Sequence, residues 1–237
     1  MSQWFENKLR ERNNKGLDLR PYLPRLSYTG WIVFLNVAFF ILMIILGFNV
    51  SSTTPCESNI CGEVSLRPND ALGGDNLWTF FTSMFMHAGF THLFVNMVSL
   101  LFIGGFVEKL IGKKRFIWFY MCSGIFAGIF FVLVALLTNT DLNVFAVGAS
   151  GAIFGLGGLL AVLTPRLPVL VFFIIPMPMW MAMVFLIVVL WLLSRTLGLP
   201  IGNVAHFGGF IVGLAYGFYL KHKYPRKASM ISRYFSK

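Results

Sequence analysis

The sequence Gly148-Ala149-Ser150-Gly151 opens an apolar segment that runs to Val162. The hydroxyl group of Ser150 enters this segment between neighbours no larger than a methyl group, so another backbone could approach it closely. Small residues of this kind commonly mediate close packing of membrane helices. Taken alone, the four residues favour helix packing over catalysis, and the rest of the chain has to decide between the two.

The composition places the chain in a membrane. The 237 residues are 57% hydrophobic and only 12% charged, whereas a soluble domain typically has about 25% charged residues. Long apolar segments predict an all-α integral membrane protein, a bundle of six transmembrane helices. The segments are Trp31–Phe48, His92–Val107, Phe116–Leu137, Val147–Val162, Val169–Leu193 and Val204–Leu220.

The distribution of basic residues predicts the orientation. All but two of the 19 Lys and Arg residues lie in the two terminal regions and in the loops that follow segments two and four. The positive-inside rule then makes both termini cytoplasmic. We expect basic tails at residues 1–27 and 222–237 around one membrane domain at 28–221. The net charge of +10 mostly reflects this topology, so no nucleic-acid partner is expected, and membrane lipid is the expected surrounding partner.

The loop at residues 49–91 is external in this topology. It contains Cys56 and Cys61, which could form a disulfide in an oxidising compartment, whereas Cys122 is expected to pack inside a helix. No cluster of His accompanies the cysteines, so a metal site is not expected. The aromatic segment Leu77–Phe81 is predicted to lie in the membrane interface, with a plain entry into the next helix as the alternative.

Three polar residues on different segments fall at one depth. His92, Ser150 and His206 precede the cytoplasmic ends of segments two, four and six by 14 to 16 residues. With a rise of about 1.5 Å per residue, they lie roughly 21–24 Å above the inner boundary of a core about 30 Å thick. Asn96 is one turn below His92, and His87 is expected near the surface above this layer. Aligned ionisable groups inside a membrane predict a functional site.

The residue types in this layer suit acyl transfer. A serine beside a histidine supplies a nucleophile and its general base. His92 and Asn96 could donate hydrogen bonds to the oxyanion that forms on an attacked carbonyl. Each residue alone could equally serve as a hydrogen-bond partner between helices, so the combination carries the prediction.

These motifs resemble the signature of the rhomboid intramembrane serine proteases, in particular the compact six-helix prokaryotic members. The resemblance rests on Gly148-Ala149-Ser150-Gly151, on His92-x-x-x-Asn96, and on Ala205-His206-Phe207-Gly208-Gly209-x-x-x-Gly213. It implies a dyad of Ser150 as nucleophile and His206 as general base, without an aspartate. It also implies an oxyanion hole formed by His92, Asn96 and the backbone amide of Ser150.

Further positions match the family without taking part in the chemistry. The resemblance implies that Gly209 and Gly213 let the last helix approach segment four, and that Glu108 is structural. Two positions depart from the pattern: Thr79 follows Trp78 where members often carry arginine, and Phe154 stands where many have a tyrosine that stacks on the histidine. We expect a phenyl ring to stack there as well. No cofactor and no metal are implied.

The implied activity is cleavage of single-pass membrane proteins in or near their transmembrane segment. The resemblance implies a multi-pass protein of the cell membrane whose active site opens to the external face. Segment five, around Pro176–Trp180, would be the lateral gate, or else a kinked packing helix. A non-catalytic relative that escorts membrane clients is the first alternative, although such relatives usually lack the Ser or the His. A small channel or transporter is the second, although the two halves of the chain show no repeat.

Overall fold

The computed structural model describes residues 27–47, 59–172, 174–197 and 202–235. Residues 1–26, which make up nearly all of the predicted N-terminal tail, lie outside the described residues. The chain is mainly helical. Its elements are α1 (Tyr28–Ile45), α2 (Asn59–Val64), α3 (Pro68–Gly73), α4 (Thr79–Thr82), α5 (Phe90–Ile111), α6 (Lys113–Thr138), α7 (Ser150–Leu163), β1 (Pro168–Val171), β2 (Ile175–Pro178), α8 (Met179–Leu197), α9 (Asn203–Lys223) and α10 (Pro225–Tyr234).

Within the described residues, five helices are long and apolar enough to cross a membrane, namely α1, α5, α6, α8 and α9. Helix α7 is apolar as well but has only 14 residues, fewer than the roughly 20 that a full span needs. Each predicted apolar segment overlaps one of these helices, and the prediction of a helical membrane bundle is confirmed.

Helix α7 forms the centre of the bundle. All of its residues except Ser150 and Ala161 are buried, because α6 and α9 cover it closely. A Cβ atom on Gly209 of α9 would overlap the carbonyl oxygen of Gly151, and one on Gly213 would overlap that of Gly155. Only glycine permits this approach, which brings the backbones of α7 and α9 into contact.

A buried carboxylate joins α5 to α1. Glu108, near the end of α5, accepts hydrogen bonds from the backbone N–H groups of Tyr28 (3.0 Å) and Thr29 (2.9 Å) and from the Thr29 hydroxyl (2.7 Å). The first N–H groups of a helix lack partners inside the helix, and its N-terminus favours negative charge. Glu108 thus caps α1 and places the start of α1 beside the end of α5.

The described part of the first loop, residues 59–89, packs at the other end of the bundle. Leu66 and Ala146 exchange two backbone hydrogen bonds of 3.1 and 2.8 Å, and the N–H of Gly148 donates to the carbonyl of Ser83 at 2.8 Å. The loop therefore holds in place the residues that lead into Ser150.

The predicted interfacial segment forms the short helix α4 and the turn before it. Leu77, Trp78 and Phe81 are each about half exposed, and the Trp78 indole donates to the carbonyl of Glu63 at 2.7 Å. Because α5 begins only at Phe90, the alternative of a direct entry into a membrane helix is wrong.

The prediction of one helix across segment five needs correction. The first half of segment five is not helical: β1 and β2 pair antiparallel, with Pro168 opposite Pro178, and α8 begins at Met179. Pro176 and Pro178 cannot donate to a helix and push the preceding residues toward extended conformations. The alternative of a kinked helix through these prolines is therefore wrong as well.

The cysteines differ in their environments. Cys61 is fully buried and disulfide-bonded; Cys56 lies outside the described residues, so its pairing with Cys61 stays a prediction. Cys122 lies within α6, as expected, but it is a free thiol that is exposed on the helix surface, so the expectation of a packing role is wrong.

Candidate active site

Ser150 and His206 are in direct contact. The Nε2 atom of His206 lies 2.8 Å from the Oγ atom of Ser150, a normal hydrogen-bond distance. Ser150 is the first residue of α7, and His206 lies in the first turn of α9. The contact joins residues that are 56 positions apart in sequence.

The glycine contacts between α7 and α9 explain why Ser150 and His206 lie side by side. Gly209 meets Gly151, and four residues further along each helix Gly213 meets Gly155. The two helices therefore run parallel with the same spacing. Since His206 precedes Gly209 by about one turn and Ser150 directly precedes Gly151, the histidine comes to lie beside the serine.

Phe154 supports the histidine from below. It follows Ser150 by one helical turn, and its ring lies 4.4 Å from that of His206 with 9° between the planes. The phenyl ring thus stacks on the imidazole as expected. The Nδ1 atom of His206 is buried and has no hydrogen-bond partner among the described residues, so no carboxylate completes a triad there.

His92 lies on the other side of the serine. Its Nδ1 atom accepts a hydrogen bond from the backbone N–H of Ala88 at 3.4 Å, which in a neutral ring leaves the proton on Nε2. That atom faces Gly148, where an added Cβ would be 2.9 Å from Nε2 and 3.8 Å from the Ser150 hydroxyl oxygen. Gly148 has a φ of +114°, so both its conformation and the space around it favour glycine.

Asn96 is buried one turn further along α5. Its side-chain amide donates to the carbonyl of His92 at 2.8 Å. One of the two amide protons is therefore used within the helix, and the second is available to another acceptor. The structure gives no direct hydrogen bond between Asn96 and Ser150.

His87 packs directly against His92. It is fully buried, and its ring meets that of His92 edge to face with 5.1 Å between centroids. Its Nδ1 atom lies 3.2 Å from the carbonyl oxygen of Phe85. Burial, with a smaller contribution from His92, lowers the pKa of His87 to about 3. This buried, neutral ring supports His92, and the depth of His87 in the membrane stays a prediction.

The position of Ser150 at a helix N-terminus adds to the electrostatics. The first N–H groups of α7 have no acceptor within the helix, and the helix dipole favours negative charge at this end. An anion that forms beside Ser150 would meet these groups as well as the Nε2–H of His92. The arrangement thus combines a hydroxyl, a neutral histidine and a set of donors around one point.

The chain is similar to known proteins of one family. The family model of the rhomboid domain matches residues 74–223. The chain is 30% identical over 211 residues to RHOMBOID-like protein 1 of Arabidopsis thaliana, covering 79% of this chain and 51% of that protein. It is 31% identical over 226 residues to RHOMBOID-like protein 4 of the same plant, covering 82% and 53%.

A relative from yeast is similar as well. Rhomboid protein 1, mitochondrial, of Saccharomyces cerevisiae is 34% identical over 142 residues, which cover 58% of this chain and 40% of that protein. The chain thus spans about half the length of these curated relatives. Since the family model covers more than half of the chain, and the matched region includes His92, Ser150 and His206, this chain belongs to the rhomboid family.

Proposed function

We propose that this protein is an intramembrane serine endopeptidase with a dyad of Ser150 and His206. The observation that carries the proposal is the 2.8 Å hydrogen bond between His206 Nε2 and Ser150 Oγ. A serine hydroxyl is a weak nucleophile until a base within hydrogen-bond reach can take its proton. Membership of the rhomboid family supports the same chemistry.

The mechanism follows from the arrangement of the site. His206 Nε2 takes the proton from Ser150 as the hydroxyl oxygen attacks a peptide carbonyl. The Nε2–H of His92, the amide of Asn96 and the backbone N–H of Ser150 hold the oxyanion. His206 then gives its proton to the departing amine, and water, deprotonated by the same ring, releases the acyl group. The Phe154 ring keeps the imidazole in plane throughout.

The substrate we propose is a single-pass membrane protein. The peptide carbonyls of an intact helix are hydrogen-bonded within that helix, so the cleaved segment has to unwind first. Glycine, proline and small residues near the cleavage site favour unwinding. The apolar surface of the bundle, with helices exposed along their length, supports delivery of the substrate through the bilayer.

We further propose that the protein resides in the cell membrane with both termini in the cytoplasm and the dyad toward the external face. The basic residues after α5 and α7 and at the end of α9 lie at the end of the bundle opposite Ser150, which the positive-inside rule makes cytoplasmic. Alkaline phosphatase fused after Lys237 should then be inactive in bacterial cells, whereas a fusion within 139–147 should be active. The reverse pattern would refute this orientation.

The activity is tested with purified protein in liposomes that contain a single-pass reporter. Wild type should cut the reporter within its membrane segment, and Ser150→Ala and His206→Ala should each abolish the cut. Ser123→Ala is the control, because Ser123 is a fully buried serine on α6 that lies against Gly155 rather than against the dyad. A fluorophosphonate should label wild type and the Ser123 variant but not Ser150→Ala.

Two results would overturn the proposal. Cleavage that persists in Ser150→Ala would place the nucleophile elsewhere. If folded wild type cleaves none of several reporters and its Ser150 is not labelled, the dyad is idle. That result would favour a protein that escorts membrane clients.

A further inference from the structure

A groove lies between α6 and α9 at the end of the bundle opposite Ser150. It has a volume of about 430 Å³. Two cations stand at its mouth, where α6 begins, and the remaining wall is apolar or aromatic. The residues that line it are Lys114, Arg115, Trp118, Phe119, Val212 and Tyr216, with Cys122 at its inner end.

The groove has the length of one membrane leaflet. Lys114, Trp118 and Cys122 follow one another at intervals of four residues and so share one face of α6. Eight residues of helix extend about 12 Å, less than half of a hydrocarbon core about 30 Å thick. The floor is rigid, because Phe119 stacks on Tyr216 with 4.8 Å between ring centroids.

Arg115 at the mouth and Lys223 beside it both approach an aromatic ring. The Arg115 guanidinium lies 5.7 Å from the centre of the Tyr224 ring, and the Lys223 ammonium lies 5.9 Å from the centre of the same ring. Within the described part of the chain, neither these two nor Lys114 is in ion-pair contact with a carboxylate. Glu108, a carboxylate at this end, is used by α1.

The following helix extends the same surface. α10 begins directly after α9 and carries Arg226, Lys227 and Arg233 together with exposed Met230 and Tyr234. A short helix with basic and apolar side chains is typical of a segment that lies on a membrane with anionic lipids. The mouth of the groove therefore opens toward a lipid headgroup region.

We propose that this groove binds one anionic phospholipid, with its phosphate at Lys114 and Arg115 and an acyl chain along Trp118, Val212 and Tyr216. A free phosphate would use only the mouth and leave the apolar wall empty. A zwitterionic lipid would bring its own cation close to Arg115 and Lys223. Phosphatidylglycerol satisfies both parts of the groove, since its headgroup adds no positive charge. The site is independent of peptide cleavage.

The test is lipid binding by native mass spectrometry of the purified full chain in detergent, with phosphatidylglycerol and phosphatidylcholine of the same acyl chains. Wild type should retain phosphatidylglycerol in clear preference. Lys114→Gln with Arg115→Gln should weaken its binding roughly 30-fold, from about 1 kcal/mol for each basic residue near an anionic lipid. Arg166→Gln with Lys227→Gln removes the same charge outside the groove and should change binding less than three-fold.

The apolar half is tested separately, with the cations intact. Cys122→Trp fills the inner end of the groove and should lower phosphatidylglycerol binding several-fold. Inorganic phosphate added as a competitor should not displace the lipid, because it cannot occupy the apolar wall. Circular dichroism and size-exclusion chromatography establish that each variant is folded.

Three results would overturn the proposal. The first is equal binding of the two lipids by wild type. The second is an equal loss of phosphatidylglycerol binding in the groove variant and in the matched charge variant, which would assign the effect to overall charge. The third is displacement by inorganic phosphate, which would reduce the site to a simple anion site.

Discussion

The phenyl ring of Phe154 lies nearly parallel to the imidazole ring of His206, with 4.4 Å between centroids and 9° between planes. His206 has no hydrogen bond at Nδ1 among the described residues. The orientation of this ring therefore depends on the stack and on the hydrogen bond to Ser150. A triad would obtain the same orientation from a carboxylate.

Replacing Phe154 by leucine should lower kcat for reporter cleavage by about 2- to 10-fold, because an aromatic pair contributes about 0.5–1.5 kcal/mol beyond its buried area. Leucine keeps most of the volume but offers no flat face. Phe154→Tyr is the matched control and should retain at least half of the wild-type rate. Steady-state cleavage in liposomes measures both, and an unchanged kcat in the leucine variant would mean that the stack does not orient His206.

Replacing Gly209 by alanine should destabilise the bundle by about 1–3 kcal/mol, the usual range for overpacking. The new Cβ would overlap the backbone carbonyl of Gly151, which cannot rotate away. Gly105→Ala is the control, since nothing lies within 4 Å of a Cβ there and alanine favours the helix. Unfolding in mixed micelles with increasing sodium dodecyl sulfate gives both free energies. Equal stability of the two variants would contradict the close approach of α7 and α9.

Replacing Glu108 by glutamine should lower the free energy of unfolding by about 1–3 kcal/mol, because three donors around Tyr28 and Thr29 lose a charged acceptor. The effect should couple to Thr29→Val, so that the double variant is less destabilised than the sum of the two single variants. The same micelle titration measures all three. Strict additivity would show that the hydrogen bond from the Thr29 hydroxyl does not contribute.

The buried His87 should make stability depend on pH. Its pKa is about 3 in the folded protein against about 6.5 in an unfolded chain. The unfolded state therefore binds one more proton between these values, so stability falls as pH decreases from 6.5 toward 3, by up to about 1.4 kcal/mol per pH unit. His87→Gln should make the stability profile less steep between pH 6.5 and 4.5. A parallel profile in the variant would mean that other groups carry the dependence.

The sequence by itself determined the class of the protein and the residues to examine. Membrane helices can be recognised from the sequence because roughly 20 apolar residues in succession have few other stable environments. The motifs around Ser150, His206 and His92 could be selected because the number of residues along a helix gives the depth of a side chain in the membrane. The boundaries of α5, α6 and α9 agree with the predicted segments to within a few residues.

The predictions from sequence were wrong where an apolar segment or residue is compatible with two different structural environments. Segment five was as apolar as the others, yet Pro176 and Pro178 lie in a β-hairpin, and α8 begins after them. Cys122 was expected to pack within its helix and is exposed on the surface of α6. Hydropathy cannot distinguish a side chain that faces lipid from one that faces a helix, because both surroundings are apolar.

Only the tertiary structure decided which atoms meet. Depth alone brings His206 to the level of Ser150, but the 2.8 Å contact depends on the rotation and register of two helices. Those are set by backbone contacts at Gly151 and Gly155, in which shape rather than hydrophobicity determines the packing. The tertiary structure also decides the contact of His87 with His92 and the capping of α1 by Glu108. Such contacts cannot be predicted from the periodicity of the sequence, because they join individual residues of separate segments.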